Sequence, residues 1–315
     1  MYETTAVGPR WSAVRRLAGY GAALTMSCYL GVKAVWVVAG LFGHGPSGMR
    51  LAEWLLLNVA TVGMSGVGVA LGLALAQPWG RGLPARPLVF VAWTGSGFLV
   101  PLLPYMVVSA VLGGGQESGG ENAMPAWEVV LLTIGFMGMA AGLALALPIY
   151  LRERWPGAFL GRAGGAAGRP SAPLLVLVTG LGVLWLSWAF GGTLGLDPAQ
   201  AARMDTNARL MIGNAGIWAL VAAGALWVLT TGHALSRLPR WVPMTLGFAA
   251  SGSLFAWSAW KLPLALLRPG DYRSVEYVPV AVVEHGLSIG AGIAILVALL
   301  RTAVGARWRS SDIDG

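Results

Sequence analysis

The chain alternates long apolar runs with short polar connections along most of its length. Eight of these runs exceed the roughly 20 residues that a helix needs to cross a bilayer. Helices are expected because a spanning helix satisfies its own backbone hydrogen bonds inside hydrocarbon. The predicted spans are 18–42, 54–76, 88–112, 129–151, 172–196, 210–232, 242–267 and 277–300. The pattern therefore predicts an all-α, polytopic membrane bundle.

Composition agrees with this fold class. Of the 315 residues, 56% are hydrophobic and only 11% are charged, whereas soluble domains carry about 25% charged residues. The net charge of +8 comes from arginines in the connections, so it is explained by membrane topology and predicts no nucleic-acid partner. Cys28 is the single cysteine, which excludes an internal disulfide and a thiolate metal site.

The arginines also predict the orientation. Fourteen lie at the N-terminus, in the connections after spans two, four and six, and at the C-terminus, and five lie on the other side. Basic residues concentrate on the cytoplasmic side of a membrane protein. We therefore predict an integral cell-membrane protein with both termini in the cytoplasm.

Two parts of the chain resemble each other. LPARPLVFVAWTGSGFL (83–99) aligns without gaps on LPRWVPMTLGFAASGSL (238–254). Further matched positions are Trp36 and Trp188, Gly40 and Gly192, Gly43 and Gly195, and, with small slips, Asn58 and Asn214, and Glu128 and Glu284. Chance matching in a chain rich in Gly, Ala and Leu is the alternative to an internal repeat.

The repeat predicts two four-helix halves, 1–160 and 174–315, joined by a Gly/Ala/Pro linker over 161–173. Because four is an even number of crossings, the two halves would be parallel, related by an axis along the membrane normal.

Several polar side chains fall inside the predicted spans, all in the outer half of the membrane. They are Lys33, Asn58, Asn214, Lys261 and Glu284. An ionisable group near the centre of a helix in hydrocarbon costs roughly 2.5 kcal/mol or more, so such groups usually face a bundle interior or a wet cavity. We expect these side chains to converge on a site.

Each group also has a purely structural explanation. Lys261 can extend outward along its own stem, or pair with Glu284. Lys33 is too deep to reach the surface and needs a partner inside the bundle. His285 can bond a neighbouring helix, and the two asparagines can join helices.

Tryptophan is concentrated at the same depth. The outer-half aromatic residues are Trp36, Trp188, Trp218, Trp257, Trp260 and Tyr105. Trp257 and Lys261 are four residues apart and share a helix face. Ordinary packing is one explanation, and an aromatic pocket whose ring faces stabilise a cation is the other.

The motifs of several enzyme classes are missing from the sequence. It contains no phosphate-binding GxxxxGK[ST] loop, no dinucleotide fingerprint, no GxSxG elbow and no aspartate-rich diphosphate motif. The histidines His44, His233 and His285 are not spaced as a metal cluster. We therefore predict no cofactor and no metal.

A buried carboxylic acid can serve as a general acid towards a lipid-soluble substrate. With Glu284, Glu128 and the tryptophan-rich segments LGVLWLSWAFGG and SGSLFAWSAWK, the chain resembles the integral-membrane terpene cyclases that build meroterpenoids. The resemblance implies a metal-free enzyme that protonates an alkene or epoxide of a hydrophobic prenylated substrate and guides a carbocation cyclisation.

The candidate roles follow from that chemistry. Glu284 is the predicted proton donor, Glu128 its competitor, and Lys261 and His285 tune the acid. The predicted substrate-binding residues are Trp257, Trp260, Trp188, Trp218, Trp36, Tyr105, Asn58, Asn214 and Lys33.

Two other functions remain open. Helices interrupted by Pro101, Pro104 and Pro263, together with a parallel repeat, also suit a small transporter or lipid-handling permease. A non-catalytic membrane subunit is the third possibility, and the sequence leaves the oligomeric state open. Because the polar groups lie in one half of the membrane and a transporter needs access from both sides, they favour an enzyme over a transporter.

Small residues predict helix contacts. GMSGVGVALG (63–72) and GLSIGAGIA (286–294) carry glycines at the four-residue spacing that lets helix backbones approach closely. We expect these faces, including Gly286 and Gly290, to pack inside the bundle.

The topology can be tested with single-cysteine variants at position 118 and within 161–170. A membrane-impermeant thiol reagent should label the first from outside and the second from inside, because an odd number of spans separates them. Labelling of both positions from the same side would contradict the predicted topology.

Overall fold

The structure, a computed structural model, describes residues 7–44, 50–112, 126–159, 161–163, 172–231, 238–268 and 273–311, without the side chains of Glu53 and of 303–311. Within these ranges the regular structure is helical, with two isolated β-bridges. The connection 113–125, most of the predicted linker (164–171), His233 and the C-terminal residues 312–315 lie outside the described residues.

The helices correspond to the apolar runs. They are α1 (Pro9–Leu41), α2 (Leu51–Ala76), α3 (Ala85–Leu99), α4 (Leu102–Val111), α5 (Ala126–Arg154), α6 (Pro156–Phe159), α7 (Ala172–Ala189), α8 (Pro198–Ala201), α9 (Thr206–Thr230), α10 (Trp241–Leu267) and α11 (Val278–Ser311), and Pro78–Gly82 forms a 3-10 helix.

Seven helical segments are long and apolar enough to cross a membrane. They lie in α1, α2, α3 with α4, α5, α7, α9 and α11. The chain is therefore a helical membrane protein. The 27-residue helix α10 is not among the seven, and Pro263 and Lys261 both lower its hydropathy.

Two predicted spans differ from the helices of the structure, one by an internal break and one by an earlier end. The span 88–112 consists of two helices, because Val100 and Pro101 separate α3 from α4, and proline lacks the N–H that continues a helix. The span 172–196 is helical only to Ala189. It is followed by Gly191 and Gly195, whose φ angles of +97° and +80° are readily adopted only by glycine.

The chain divides into two compact units. The first comprises 1–92 and 115–150, and the second comprises 93–114 and 151–315, so the divisions fall within α3 and α5. The predicted halves, 1–160 and 174–315, are defined by sequence similarity rather than by contacts, and they stay a prediction.

Small residues bring the helices of the first unit together. A Cβ on Gly19 would lie 2.9 Å from the Gly72 carbonyl oxygen, and one on Gly72 would lie 3.0 Å from the Gly19 oxygen. On the other side of α1, Gly138 of α5 packs directly against Thr25. These close approaches maximise van der Waals contact, which drives helix association in lipid.

In the second unit, the C-terminal part of α3 crosses α10 at Gly97 and Gly252. A Cβ on Gly252 would collide with the Trp93 carbonyl oxygen and lie 3.2 Å from the Gly97 Cα. The Trp93 Nε1 donates to the Ser251 Oγ at 3.0 Å, and its ring stacks on Phe255 with centroids 4.7 Å apart. Gly97 and Gly252 are also matched positions in the internal alignment.

Helix α11 packs on α10 through a different face from the one predicted. The Ser288 Oγ donates to the Leu254 carbonyl at 3.0 Å, and a Cβ on Gly292 would lie 2.7 Å from the Ser251 carbonyl oxygen. Gly286 and Gly290 are exposed and have no neighbouring atom within 4 Å of a built Cβ. The prediction that they face inward is wrong, because the buried residues 288 and 292 lie on another side of the helix.

The same correction applies to part of α2. Gly63 and Gly66 have open space around a built Cβ. Gly68 contacts Met26, and Gly72 makes the α1 contact described above. Only the C-terminal part of the predicted small-residue face is therefore packed.

We expect Gly252→Ala to lower the free energy of unfolding by about 1–3 kcal/mol, the usual range for overpacking a tight contact. The measurement is equilibrium unfolding in mixed detergent micelles. Gly290→Ala is the matched control, since alanine there meets open space and favours the helix. Equal effects of the two substitutions would contradict the close crossing of α3 and α10.

Candidate functional site

A small cavity of about 30 Å³ lies in the second unit. It is bounded by α7, α9, α10, the N-terminal end of α11 and the segment before α11. Its polar lining comprises Ser253, Ser258, Lys261, Glu276, Glu284 and His285. A cavity of this size holds about one or two water molecules.

Glu284 is the most constrained of these groups. Glu284 lies on the second turn of α11 and is 3% exposed. The Trp185 Nε1 donates to its Oε2 at 3.0 Å. Its Oε1 lies 3.4 Å from the His285 Nε2 and has no hydrogen-bond partner among the described residues. One oxygen is therefore held by the indole, and the other is buried without a hydrogen-bond partner among the described residues.

Glu276, Glu284 and His285 together have the donor set of a metal site. One donor atom from each residue lies within 4.8 Å of the others, and all three residues are buried. Two carboxylates and an imidazole suit zinc or manganese. Lys261 lines the same cavity, and its ammonium group would oppose a second cation there. The arrangement can thus share a proton or, if Lys261 turns away, hold a divalent ion.

Three indole rings form the aromatic wall of the cavity: Trp185, Trp188 and Trp257. Trp188 is 1% exposed and donates to the Leu194 carbonyl at 2.8 Å. Trp257 meets Phe98 edge to face, with centroids 5.3 Å apart. Indole faces attract cations, most strongly in a desolvated site.

A second buried acid lies in the first unit. The Lys33 Nζ on α1 donates to the Glu128 Oε1 on α5 at 2.7 Å. The same Nζ lies 5.2 Å from the Trp36 ring centroid and 5.6 Å from that of Tyr29. Glu128 is 1% exposed, and its place in the first turn of α5 also suits the helix dipole. Lys33 thus has an internal partner, a carboxylate that the sequence did not assign to it.

The two asparagines make backbone contacts. The Asn58 Nδ2 donates to the Trp54 carbonyl of its own helix at 2.8 Å, and the Asn214 Nδ2 donates to the Pro101 carbonyl at 2.9 Å. The second bond satisfies a carbonyl at the break between α3 and α4. Neither asparagine lines the cavity.

Three predicted aromatic residues also lie apart from the cavity lining. Trp260 is 48% exposed, and Trp218 is half-buried. The Tyr105 hydroxyl donates to the Asn207 Oδ1 at 2.6 Å. Of the residues predicted from sequence, the cavity brings together Glu284, His285, Lys261, Trp257 and Trp188.

Two important residues were missed by sequence reasoning. Trp185 precedes Trp188 by three residues, so their shared helix face was a usable signal. Glu276 precedes α11 and reaches the site through an antiparallel bridge between its backbone and Leu196. No sequence pattern indicates such a contact between connecting segments.

No protein-family model, curated protein or solved structure matches this chain. The site is therefore interpreted from its own residues. The resemblance to membrane terpene cyclases depends on the two acids and the tryptophan-rich helices.

We expect Lys33→Met to destabilise the protein by about 3–5 kcal/mol, because it leaves a buried carboxylate without its partner. Equilibrium unfolding in mixed micelles measures the loss. The double variant Lys33→Met/Glu128→Gln removes the charge as well and should recover most of the stability. A double variant as unstable as Lys33→Met would show that packing, rather than the ion pair, carries the effect.

Proposed function

We propose that this protein is an integral-membrane enzyme that protonates an alkene or epoxide of a prenylated substrate and guides its cyclisation. Glu284 is the general acid, and Trp185, Trp188 and Trp257 form the wall along which the carbocation travels. Lys261 and His285 adjust the charge around the acid. No metal takes part in this reaction.

One observation carries the proposal: a buried carboxyl group with a free oxygen lines the same cavity as three indole rings. Among the described residues the Glu284 Oε1 has no hydrogen-bond partner, and the three indole rings line the same cavity. A general acid needs an accessible proton, and a carbocation needs electron-rich surroundings without water. The buried carboxyl group and the three indole rings in one cavity lining therefore support the proposal.

The reaction balances without a co-reactant. The π electrons of the alkene take the proton from the Glu284 carboxyl, which becomes a carboxylate as a carbocation forms. A second double bond of the substrate closes the ring, and loss of a proton from carbon to the carboxylate regenerates the acid. The product is an isomer of the substrate.

The cavity of about 30 Å³ is much smaller than the pockets of several hundred Å³ that hold ligands of this size. Substrate entry therefore requires side chains at the cavity to separate. Trp257, half-buried at the cavity edge, is the side chain whose movement enlarges the cavity most directly.

We further propose that α10 is an eighth crossing, which puts both termini on the same side of the membrane, the cytoplasmic side according to the distribution of arginines. Its 27 residues are long enough to span the hydrocarbon. Its serines Ser251, Ser253 and Ser258, which lower its hydropathy, are all buried. The helix therefore presents fewer polar groups to lipid than its composition indicates.

The small cavity favours one other function, the transport of protons or a small cation. The cavity holds little more than an ion with water, and four titratable side chains line it. Such clusters are typical of ion pathways in transporters. Glu284 would then be the ion-binding carboxylate.

The test uses purified full-length protein in nanodiscs, with a farnesylated indole and its terminal epoxide as probes. Glu284→Gln keeps the size of the side chain and removes its acidic proton, so it should lower the cyclisation rate by about 10²–10⁴-fold. Chromatography and mass spectrometry detect the product as an isomer of the probe. A metal chelator should leave the rate unchanged.

The double variant Lys33→Met/Glu128→Gln is the matched control, because it removes the other buried acid together with its charged partner, and it should retain the rate. Full turnover by Glu284→Gln would refute the assignment of the acid, and loss of turnover with a chelator would indicate a metal at Glu276, Glu284 and His285. If the wild type converts neither probe but proteoliposomes show Glu284-dependent cation uptake, transport replaces the enzymatic proposal.

A further inference from the structure

The two buried glutamates are each held by one donor on another helix. In the first unit, the Lys33 Nζ on α1 donates to the Glu128 Oε1 at 2.7 Å. In the second unit, the Trp185 Nε1 on α7 donates to the Glu284 Oε2 at 3.0 Å. In both cases the other carboxyl oxygen has no hydrogen-bond partner among the described residues.

The two donors occupy the same place in the internal alignment. Lys33 lies three residues before Trp36, and Trp185 lies three residues before Trp188. The two tryptophans are matched positions, and so are the two glutamates that accept the bonds. That alignment came from residue letters alone, so the shared pattern of donor and acceptor is independent support for the repeat.

The donors differ in one property that matters to a carboxyl group. An ammonium group carries a positive charge and stabilises the carboxylate as an ion pair. An indole has one N–H, no charge and no acceptor, so it can bond a neutral or an ionised carboxyl. One contact therefore gives its glutamate a charged partner, and the other gives its glutamate a hydrogen bond without a charge.

The charged groups around the two glutamates also differ. Around Glu128 the near charged group is Lys33, with the phenol of Tyr29 beside it. Around Glu284 are His285 of α11, Lys261 of α10 and Glu276 of the preceding segment. Within the described residues, no lysine or arginine lies within 4.0 Å of the Glu284 carboxyl.

We propose that the donor at this matched position gives the two equivalent glutamates different roles, which extends the proposed function. Lys33 holds Glu128 in a structural ion pair, and Trp185 positions Glu284 while leaving it able to carry the transferable proton. Trp185 is thus a positioning residue. Its hydrogen bond holds the Oε2 of Glu284 and adds no charge beside the acid.

Infrared spectroscopy of the full-length protein in nanodiscs tests this assignment without a substrate. At neutral pH we expect a buried carboxylic-acid carbonyl band that disappears in Glu284→Gln and persists in Glu128→Gln. Trp185→Lys should remove the band by forming a new ion pair. Lys33→Met should add a second band, because an unpaired buried carboxyl takes up a proton.

Trp185→Phe is the matched control for the indole. It keeps an aromatic ring and removes the N–H, so the Glu284 band should remain but move to higher frequency. A purely structural role for Trp185 would leave that frequency unchanged. Size-exclusion chromatography and circular dichroism confirm that each variant is folded. If Trp185→Lys does not fold, the frequency of the Glu284 band in Trp185→Phe decides the role of the indole donor.

The proposal is overturned if the wild-type band belongs to Glu128, if folded Trp185→Lys retains it, or if Lys33→Met adds none. These outcomes are separate from the fate of the proposed enzyme. If the infrared pattern holds while Glu284→Gln still cyclises the probes, the proposed function fails alone. If Glu284→Gln stops turnover while folded Trp185→Lys keeps the band, the role of the donor fails alone.

Discussion

The structure depends on one constraint: hydrocarbon offers no hydrogen-bond partner, so every polar group in a span must find one within the protein. The bond between Lys33 and Glu128 meets this requirement for two ionisable groups at once. At the break before α4, the Asn214 amide meets it for a backbone carbonyl. Each of the two buried glutamates still has one carboxyl oxygen, the Glu128 Oε2 and the Glu284 Oε1, without a hydrogen-bond partner among the described residues.

The cavity beside Glu284 separates the candidate site from the close helix contacts described for the rest of the bundle. Elsewhere, helices approach through glycines such as Gly97 and Gly252, where backbones touch and little space remains. Beside α11 the same helix α10 contributes Trp257 and Lys261 to a cavity instead. The tight crossing holds Phe98 against Trp257, so the packing of α3 on α10 also positions one wall of the site.

Much of the fold could be predicted from the sequence, because apolar length alone indicates spanning helices. The ends of the helices were harder to predict, since the end of α7 near Ala189 depends on glycines in the left-handed conformation. The packed faces were predicted wrongly for Gly286 and Gly290 because glycine spacing indicates a possible contact without indicating which helix face meets a neighbour. Glycines on the exposed face have the same spacing as those on the packed one.

The types of residue at the site could be predicted from the sequence, but their hydrogen-bond and ion-pair partners could not. Sequence placed Lys33, Lys261 and Glu284 at a common depth, and it suggested that Lys261 pairs with Glu284. The ion pair instead joins Lys33 to Glu128, since partner choice depends on which helices are neighbours. Trp185 lacks charge, so a search for ionisable residues could not find it.

The hydrogen bond from Trp185 to Glu284 also has a spectroscopic consequence. The indole ring offers a single polar hydrogen, and that hydrogen points at the Glu284 carboxyl. The magnetic resonance of this proton and its nitrogen therefore shifts when the charge on the carboxyl changes. Labelling with nitrogen-15 therefore makes the Trp185 indole a probe of the charge on Glu284, without an attached dye or a substitution at the site.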